Sequence, residues 1–161
     1  MRYEGIIDEI LYYGERSKDG RWIIPIAVDW DFTITSCSSW KEGTMEINYK
    51  AFKVMKRWIE DYNVGFILDT MRHDGILEEP LKILRENGIE LYGIRKNPQQ
   101  DKDGNEVTKA WAVFSIDDRN VGTPVIMAEG CNRPSVDWDK VDEIMTPILE
   151  EISATLNKVR L

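Results

Sequence analysis

Short, unbroken apolar runs alternate along this chain with stretches whose apolar residues recur every three or four positions. Ile6, Ile7, Ile10 and Leu11 have helical spacing, which predicts an N-terminal helix within residues 3–14, followed by a polar connection from Glu15 to Gly20. Ile23-Ile24-Pro25-Ile26-Ala27-Val28 is continuously apolar, as expected of a parallel strand buried on both faces. Pro25 cannot donate to a ladder, so the strand proper is placed at about 25–29. Residues 35–47 are rich in Ser, Gly and charge and read as an ordered loop or flap. A helix follows over 48–62, with Ala51, Val54, Met55, Trp58 and Ile59 on one face. Strands are expected at Val64–Leu68, Ile89–Ile94 and Trp111–Ile116, with a helix over Leu77–Asn87 closed by Gly88. Residues 97–109 read as a polar loop or small hairpin, and Val125–Met127 as a short edge strand. A closing helix is expected over 138–158. Helices alternating with strands imply βαβ units, and hence an α/β fold: a three-layer sandwich around a central, mostly parallel sheet.

The 161 residues fit one domain, read as 1–161 with a helix and connection over 1–20, a core over 22–122 and the helix over 138–158. No apolar run approaches the ~18 residues that span a bilayer, and the start lacks a basic, apolar leader, so the expected setting is cytoplasmic. Net charge is −8, from 29 acidic and 21 basic residues, and no basic patch of the kind nucleic-acid binders carry is visible. Lys50, Lys53, Lys56 and Arg57 read as a solvated helix face. Cys37 and Cys131 lie outside any CxxC pair and are expected to be free thiols.

The chemistry gathers at strand ends, where parallel sheets carry their sites. The first strand runs into Asp29-Trp30-Asp31-Phe32-Thr33, the second into Thr70 with Arg72 nearby, the third into Lys96, and the fourth into Asp117-Asp118. Paired carboxylates repel unless a cation neutralises them, and a hard divalent ion such as Mg²⁺ suits oxygen ligands. Carboxylates, a hydroxyl and local cations are the groups that phosphoryl transfer requires.

Three stretches carry a family resemblance: Ile26-Ala27-Val28-Asp29-Trp30-Asp31-Phe32-Thr33-Ile34-Thr35, Gly65-Phe66-Ile67-Leu68-Asp69-Thr70-Met71-Arg72, and Phe114-Ser115-Ile116-Asp117-Asp118-Arg119-Asn120-Val121-Gly122. Over residues 22–122 the chain resembles the haloacid dehalogenase (HAD) superfamily of phosphohydrolases, and within it the small, nearly capless members. The resemblance implies a Rossmann-like fold and a Mg²⁺-dependent phosphatase working through an aspartyl-phosphate. Asp29 would be the nucleophile, and Asp31 the general acid and base, its backbone carbonyl also reaching the metal. Thr70 would bond a phosphoryl oxygen, and Lys96 would neutralise the reacting groups, with Lys82 as its rival. Asp29, Asp31, Asp117 and Asp118 would hold Mg²⁺, while Thr33, Arg72 and Arg119 would contact substrate. The substrate class is a phosphorylated small molecule or an exposed phosphate end. A capless site is open, suited to a bulky substrate or to closure by a second copy in a homo-oligomer.

The family carries glycine where this chain has Phe32, and phenylalanine resists the positive φ that glycine permits. This departure supports an alternative, a non-catalytic HAD-like domain that binds metal or regulates. A receiver-like phospho-acceptor would place its paired acids ahead of the acceptor aspartate, an order not seen here. His73, the only histidine, reads as an exposed loop residue, and Trp40 as part of the flap.

Overall fold

A computed structural model describes residues 2–39, 43–103 and 109–159 of the chain. The protein is a Rossmann-like α/β sandwich of three layers, with helices flanking a four-stranded parallel sheet. Helix α1 (Glu4–Tyr13) leads into β1 (Ile24–Val28), and an antiparallel hairpin follows, β2 (Thr35–Ser39) and β3 (Thr44–Ile47). Next come α2 (Tyr49–Tyr62), β4 (Val64–Leu68), α3 (Gly75–Glu86) and β5 (Gly93–Ile94). A 3₁₀ turn at Pro98–Asp103 precedes β6 (Phe114–Ile116), then β7 (Val125–Ile126), β8 (Ser135–Val136) and α4 (Trp138–Leu156). Sheet order is β5-β4-β1-β6.

Strand β1 is central because every one of its residues is apolar, and all five are buried. It pairs with β4 from Ile24↔Val64 to Val28↔Leu68 and with β6 from Ile26↔Phe114 to Val28↔Ile116. Pro25 fits because of where its nitrogen points. Ile24 donates to Asn63 O on the β4 side, so alternation turns the nitrogen of Pro25 toward β6, where pairing begins only at Ile26. The missing N–H therefore interrupts no ladder.

Tryptophans knit the layers together. Trp58 of α2 stacks on Phe66 of β4 with ring centroids 6.3 Å apart, and its indole N–H donates to Thr146 Oγ1 of α4 at 3.0 Å. Helix α2 is capped by Asn48, which accepts from Lys50 N–H, and it ends with Asn63 at φ +55°. Asp137 caps α4 in the same way, accepting from Lys140 N–H.

Four expectations change. Within 35–47, read as an ordered loop or flap, Thr35–Ser39 and Thr44–Ile47 pair as the antiparallel strands β2 and β3, and Trp40 falls outside the described residues. The third strand shrinks to Gly93–Ile94 and the fourth to Phe114–Ile116, because the apolar runs there continue beyond the hydrogen-bonded ladder. Val125 and Ile126 pair with β8 in a separate ribbon, not at an edge of the main sheet. Cys37 and Cys131 are joined in a disulfide, with Cα atoms 5.8 Å apart, instead of being free. Their separation of 94 residues in sequence hid a contact that only the packing of β2 against the β7–β8 connection creates. Among the described residues, no helix is long and apolar enough to cross a membrane.

Gly65 in β4 is a close-approach point, since an added Cβ would lie 2.6 Å from Ile23 Cγ2 and 2.9 Å from Tyr92 Cγ. Gly65→Ala should cost about 1–3 kcal/mol through overpacking. Gly5→Ala, where a Cβ meets nothing within 4 Å, should be neutral or stabilise α1 by up to about 1 kcal/mol. Urea denaturation of both variants checks the contrast.

Candidate active site

Parallel pairing aligns three strand ends at one edge. Asp29 N–H donates to Ile116 O at 3.0 Å and Asp69 N–H to Val28 O at 2.9 Å, so the residues leaving β1, β4 and β6 emerge side by side. Between them opens a cavity of about 780 Å³ whose wall includes Asp29, Asp31, Thr70, Asp117, Asp118 and Arg119. One carboxylate oxygen each from Asp29, Asp117 and Asp118 lies within 4.8 Å of the others. Those six side chains, expected from the sequence, do share one site.

The turn after β1 sets their directions. The N–H groups of Thr33, Ile34 and Thr35 all converge on Trp30 O at 3.2, 2.9 and 3.0 Å, while the Trp30 side chain is fully buried. Asp29 and Asp31 therefore face the cavity and Trp30 faces the core. Phe32 adopts φ +57°. The turn thus keeps the left-handed geometry that glycine would take freely, at a cost of roughly 1 kcal/mol for a side-chain-bearing residue. Its N–H donates to Thr35 Oγ1 at 2.8 Å, its carbonyl accepts from Val136 N–H at 2.9 Å, and its ring is 6% exposed. Two hydrogen bonds and a buried ring outweigh that strain.

Crowded charge shapes the site's titration. The Asp29 carboxyl is pushed up to about 7, first by burial and then by the charges of Asp117, Asp118 and Asp31, against a stabilising bond from Trp30 N–H. Asp69 is raised too, by burial and by Asp117, and the Lys109 ammonium partly offsets this. Three carboxylates around a pocket, one of them destabilised as an anion, are a donor set suited to a hard divalent cation.

Thr33, Arg72 and Lys96 stand elsewhere than the sequence suggested. Thr33 is fully buried; its hydroxyl donates to Asp29 Oδ2 at 3.3 Å and accepts from Asp118 N–H at 3.1 Å, so it ties the Asp29 carboxylate to the Asp118 backbone and does not line the cavity. Arg72 is 7% exposed and grips Asp31 bidentately, Nε to Oδ2 at 2.9 Å and Nη2 to Oδ1 at 2.7 Å, while Ser38 Oγ donates to Oδ1 at 2.6 Å. It orients Asp31 from behind the cavity wall. Lys96 is exposed and does not line the cavity, because the chain turns outward at Arg95, where φ is +62°. Lys82 pairs with Glu86 on α3. Lys109, which precedes β6 rather than following a strand, is a lysine whose charge Asp69 feels. Asp69, Phe32, His73 and Arg133 also line the cavity. Asp69 was legible as the end of an apolar run, whereas Arg133 lies in a segment with no motif.

Two predictions follow from the charges. An aspartate with a raised folded value holds its proton more tightly when folded than when unfolded. Its stabilising contribution is complete below the ordinary value of 3.8 and is lost as pH rises through about 7. In chelator, the metal-free protein should thus lose stability between about pH 4 and pH 7, and Asp29→Asn should flatten that loss by on the order of 2 kcal/mol, read from urea midpoints at both ends. Arg72→Met leaves Asp31 without its buried partner and should cost about 3 kcal/mol in the same assay.

No protein-family model matches the chain, and no curated protein matches it in sequence. A solved structure, that of a conserved protein coded by a locus from Bacteroides thetaiotaomicron, superposes with a TM-score of 0.57 at 24% identity. The match covers 86% of this chain and 99% of that one, and what it carries is the fold.

Proposed function

We propose that this protein is a Mg²⁺-dependent phosphatase of the HAD type that hydrolyses phosphate monoesters through an aspartyl-phosphate. One observation carries the reading: carboxylates leaving two neighbouring parallel strands, Asp29 from β1 and Asp117 and Asp118 from β6, converge within 4.8 Å beside an open cavity. Mg²⁺ on these three would neutralise their repulsion and draw negative charge off a phosphoryl group.

The chain's own residues then divide the work. Asp29 attacks phosphorus in line with the leaving oxygen, and Thr33 steadies it from behind through its hydroxyl. Asp31, two residues on and held by Arg72 and Ser38, gives a proton to the departing alkoxide. It then takes one from the water that cleaves the acyl phosphate, which returns Asp29 as a carboxylate and releases inorganic phosphate. The Thr70 hydroxyl accepts from Arg72 N–H at 3.2 Å, so its own proton can turn to a phosphoryl oxygen. Arg119 supplies positive charge at the cavity wall, and Lys109 offsets the charge of Asp69. The open cavity suits a bulky phosphorylated molecule or phosphate end, with a second copy able to close it. The setting we assign is cytoplasmic, where a bond such as Cys37–Cys131 is characteristically a transient or redox-sensing one.

A second reading, a non-catalytic domain that binds metal, draws on Asp31. Both of its oxygens are engaged by Arg72 and Ser38, and proton delivery requires one of these contacts to open.

Hydrolysis of p-nitrophenyl phosphate with and without Mg²⁺ decides between the readings. Phosphatase action predicts turnover that chelator abolishes and that Asp29→Asn lowers by roughly a thousandfold or more, the variant remaining folded. A Mg²⁺-induced rise in Tm without turnover, across sugar, nucleotide and nucleic-acid-end phosphates, would establish the binding domain instead.

A further inference from the structure

Residues Cys131-Asn132-Arg133-Pro134-Ser135-Val136 form no recognisable motif, yet the fold fastens them at both ends. Cys131 is bonded to Cys37 in β2, and Val136 N–H donates to Phe32 O at 2.9 Å. Between these anchors Arg133 precedes a proline, which biases its backbone to an extended form. The segment is therefore a short strap laid across the nucleophile turn, and Arg133 is the side chain that it presents to the cavity.

The guanidinium is held on two sides. Its Cζ lies 4.3 Å from the centroid of the Phe32 ring, and Nη2 donates to Asp118 Oδ2. Asp118 is buried, its side chain 4% exposed, but the Arg133 side chain is 34% exposed and opens onto the cavity. A guanidinium held over an aromatic face keeps N–H groups free to bond along its own edge. The ring itself sits at the one position of the turn where positive φ is needed. Phe32 thus makes a platform there, which glycine could not.

We propose that Arg133 is a substrate-binding residue that takes the non-bridging oxygens of a phosphate monoester. This rests on the phosphatase reading above. Asp118 belongs to the carboxylate trio suited to a divalent cation, so its carboxylate would be shared between the cation and Arg133. Once a cation neutralises Asp118, the guanidinium remains on its ring beside the site with donors to spare, and a phosphoryl group is the anion that fits between them. The ion pair with Asp118 is then the resting partner of a binding group, and the strap fixes where that group waits.

The test compares wild type with Arg133→Gln, Arg133→Lys and Arg133→Met, using inorganic phosphate, Mg²⁺ and p-nitrophenyl phosphate. Calorimetric titration of phosphate into the Mg²⁺-saturated protein should show binding weakened about ten- to a hundredfold in the Gln and Met variants, with Lys restoring part of it. Mg²⁺ binding alone should be unchanged or tighter, since a competitor for Asp118 is gone. For the ester, KM should rise by more than kcat falls. Arg133→Met keeps the stem on Phe32, so a loss it shares with Gln reports the missing charge and not a disturbed turn. Phosphate bound as tightly by Arg133→Gln as by wild type overturns the proposal, as does loss of Mg²⁺ and phosphate binding together, which would make Arg133 a positioning residue for Asp118. If wild type binds no phosphate and hydrolyses no ester, the phosphatase reading falls, and this one with it.

Discussion

Repulsion among carboxylates at one edge of a parallel sheet is the constraint around which this molecule is arranged. Register leaves little choice: once β1 pairs with β4 on one side and β6 on the other, Asp29, Asp69 and Asp117 must emerge together. Isolated anions in a half-buried site are costly, and each of the neighbouring polar features acts to reduce that cost. Arg72 and Ser38 take Asp31, Arg133 takes Asp118, Thr33 bridges Asp29 and the Asp118 backbone, and Lys109 moderates Asp69. Asp29 is left as the member whose anion is least compensated, which is why burial and its neighbours push it up to about 7. That residual imbalance is the property a nucleophile site would use, because a bound cation removes it.

The strained turn explains how bulk was admitted next to such a site. A left-handed Phe32 costs roughly 1 kcal/mol against glycine, while burying a phenylalanine ring contributes about 2–3 kcal/mol. The exchange is favourable only because the residue is buried, with Arg133 over its ring and β8 bonded to its carbonyl. Those partners come from residues about a hundred positions downstream, past the last of the recognisable stretches. Left-handed Phe32 and the β7–β8 ribbon are two halves of one feature.

What could be read in the sequence was what local physics fixes. Apolar runs located β1 and β4 almost to the residue, and helical spacing located α2 and α4. The carboxylates at the ends of β1 and β6 followed from the rule that parallel sheets gather their chemistry there. What stayed hidden depended on distance in sequence. Cys37 meets Cys131 across 94 residues, and neither carries a local signal of pairing. Arg72 looked like a free cation because its partner Asp31 lies 41 residues away, and a bidentate pair leaves no trace in spacing. Lys96 followed a strand and so drew attention, but it does not line the cavity; Arg95 before it is left-handed, and the charge of Lys109, before β6, is felt at Asp69.

Net charge is the last consideration, because at −8 this molecule repels the dianions it is proposed to bind. At physiological ionic strength such repulsion is screened beyond about 8 Å. A phosphate that reaches the cavity therefore responds to the nearest groups and not to the whole surface. Those groups are mixed: acidic at the floor, where a cation would reverse the sign, and cationic at Arg119 and Arg133 along the wall. Without a divalent ion the acidic floor would dominate and exclude phosphate. With one bound, the floor and the wall would act in the same direction. On the function proposed above, phosphate would therefore follow the metal, an order set by electrostatics and requiring no moving part.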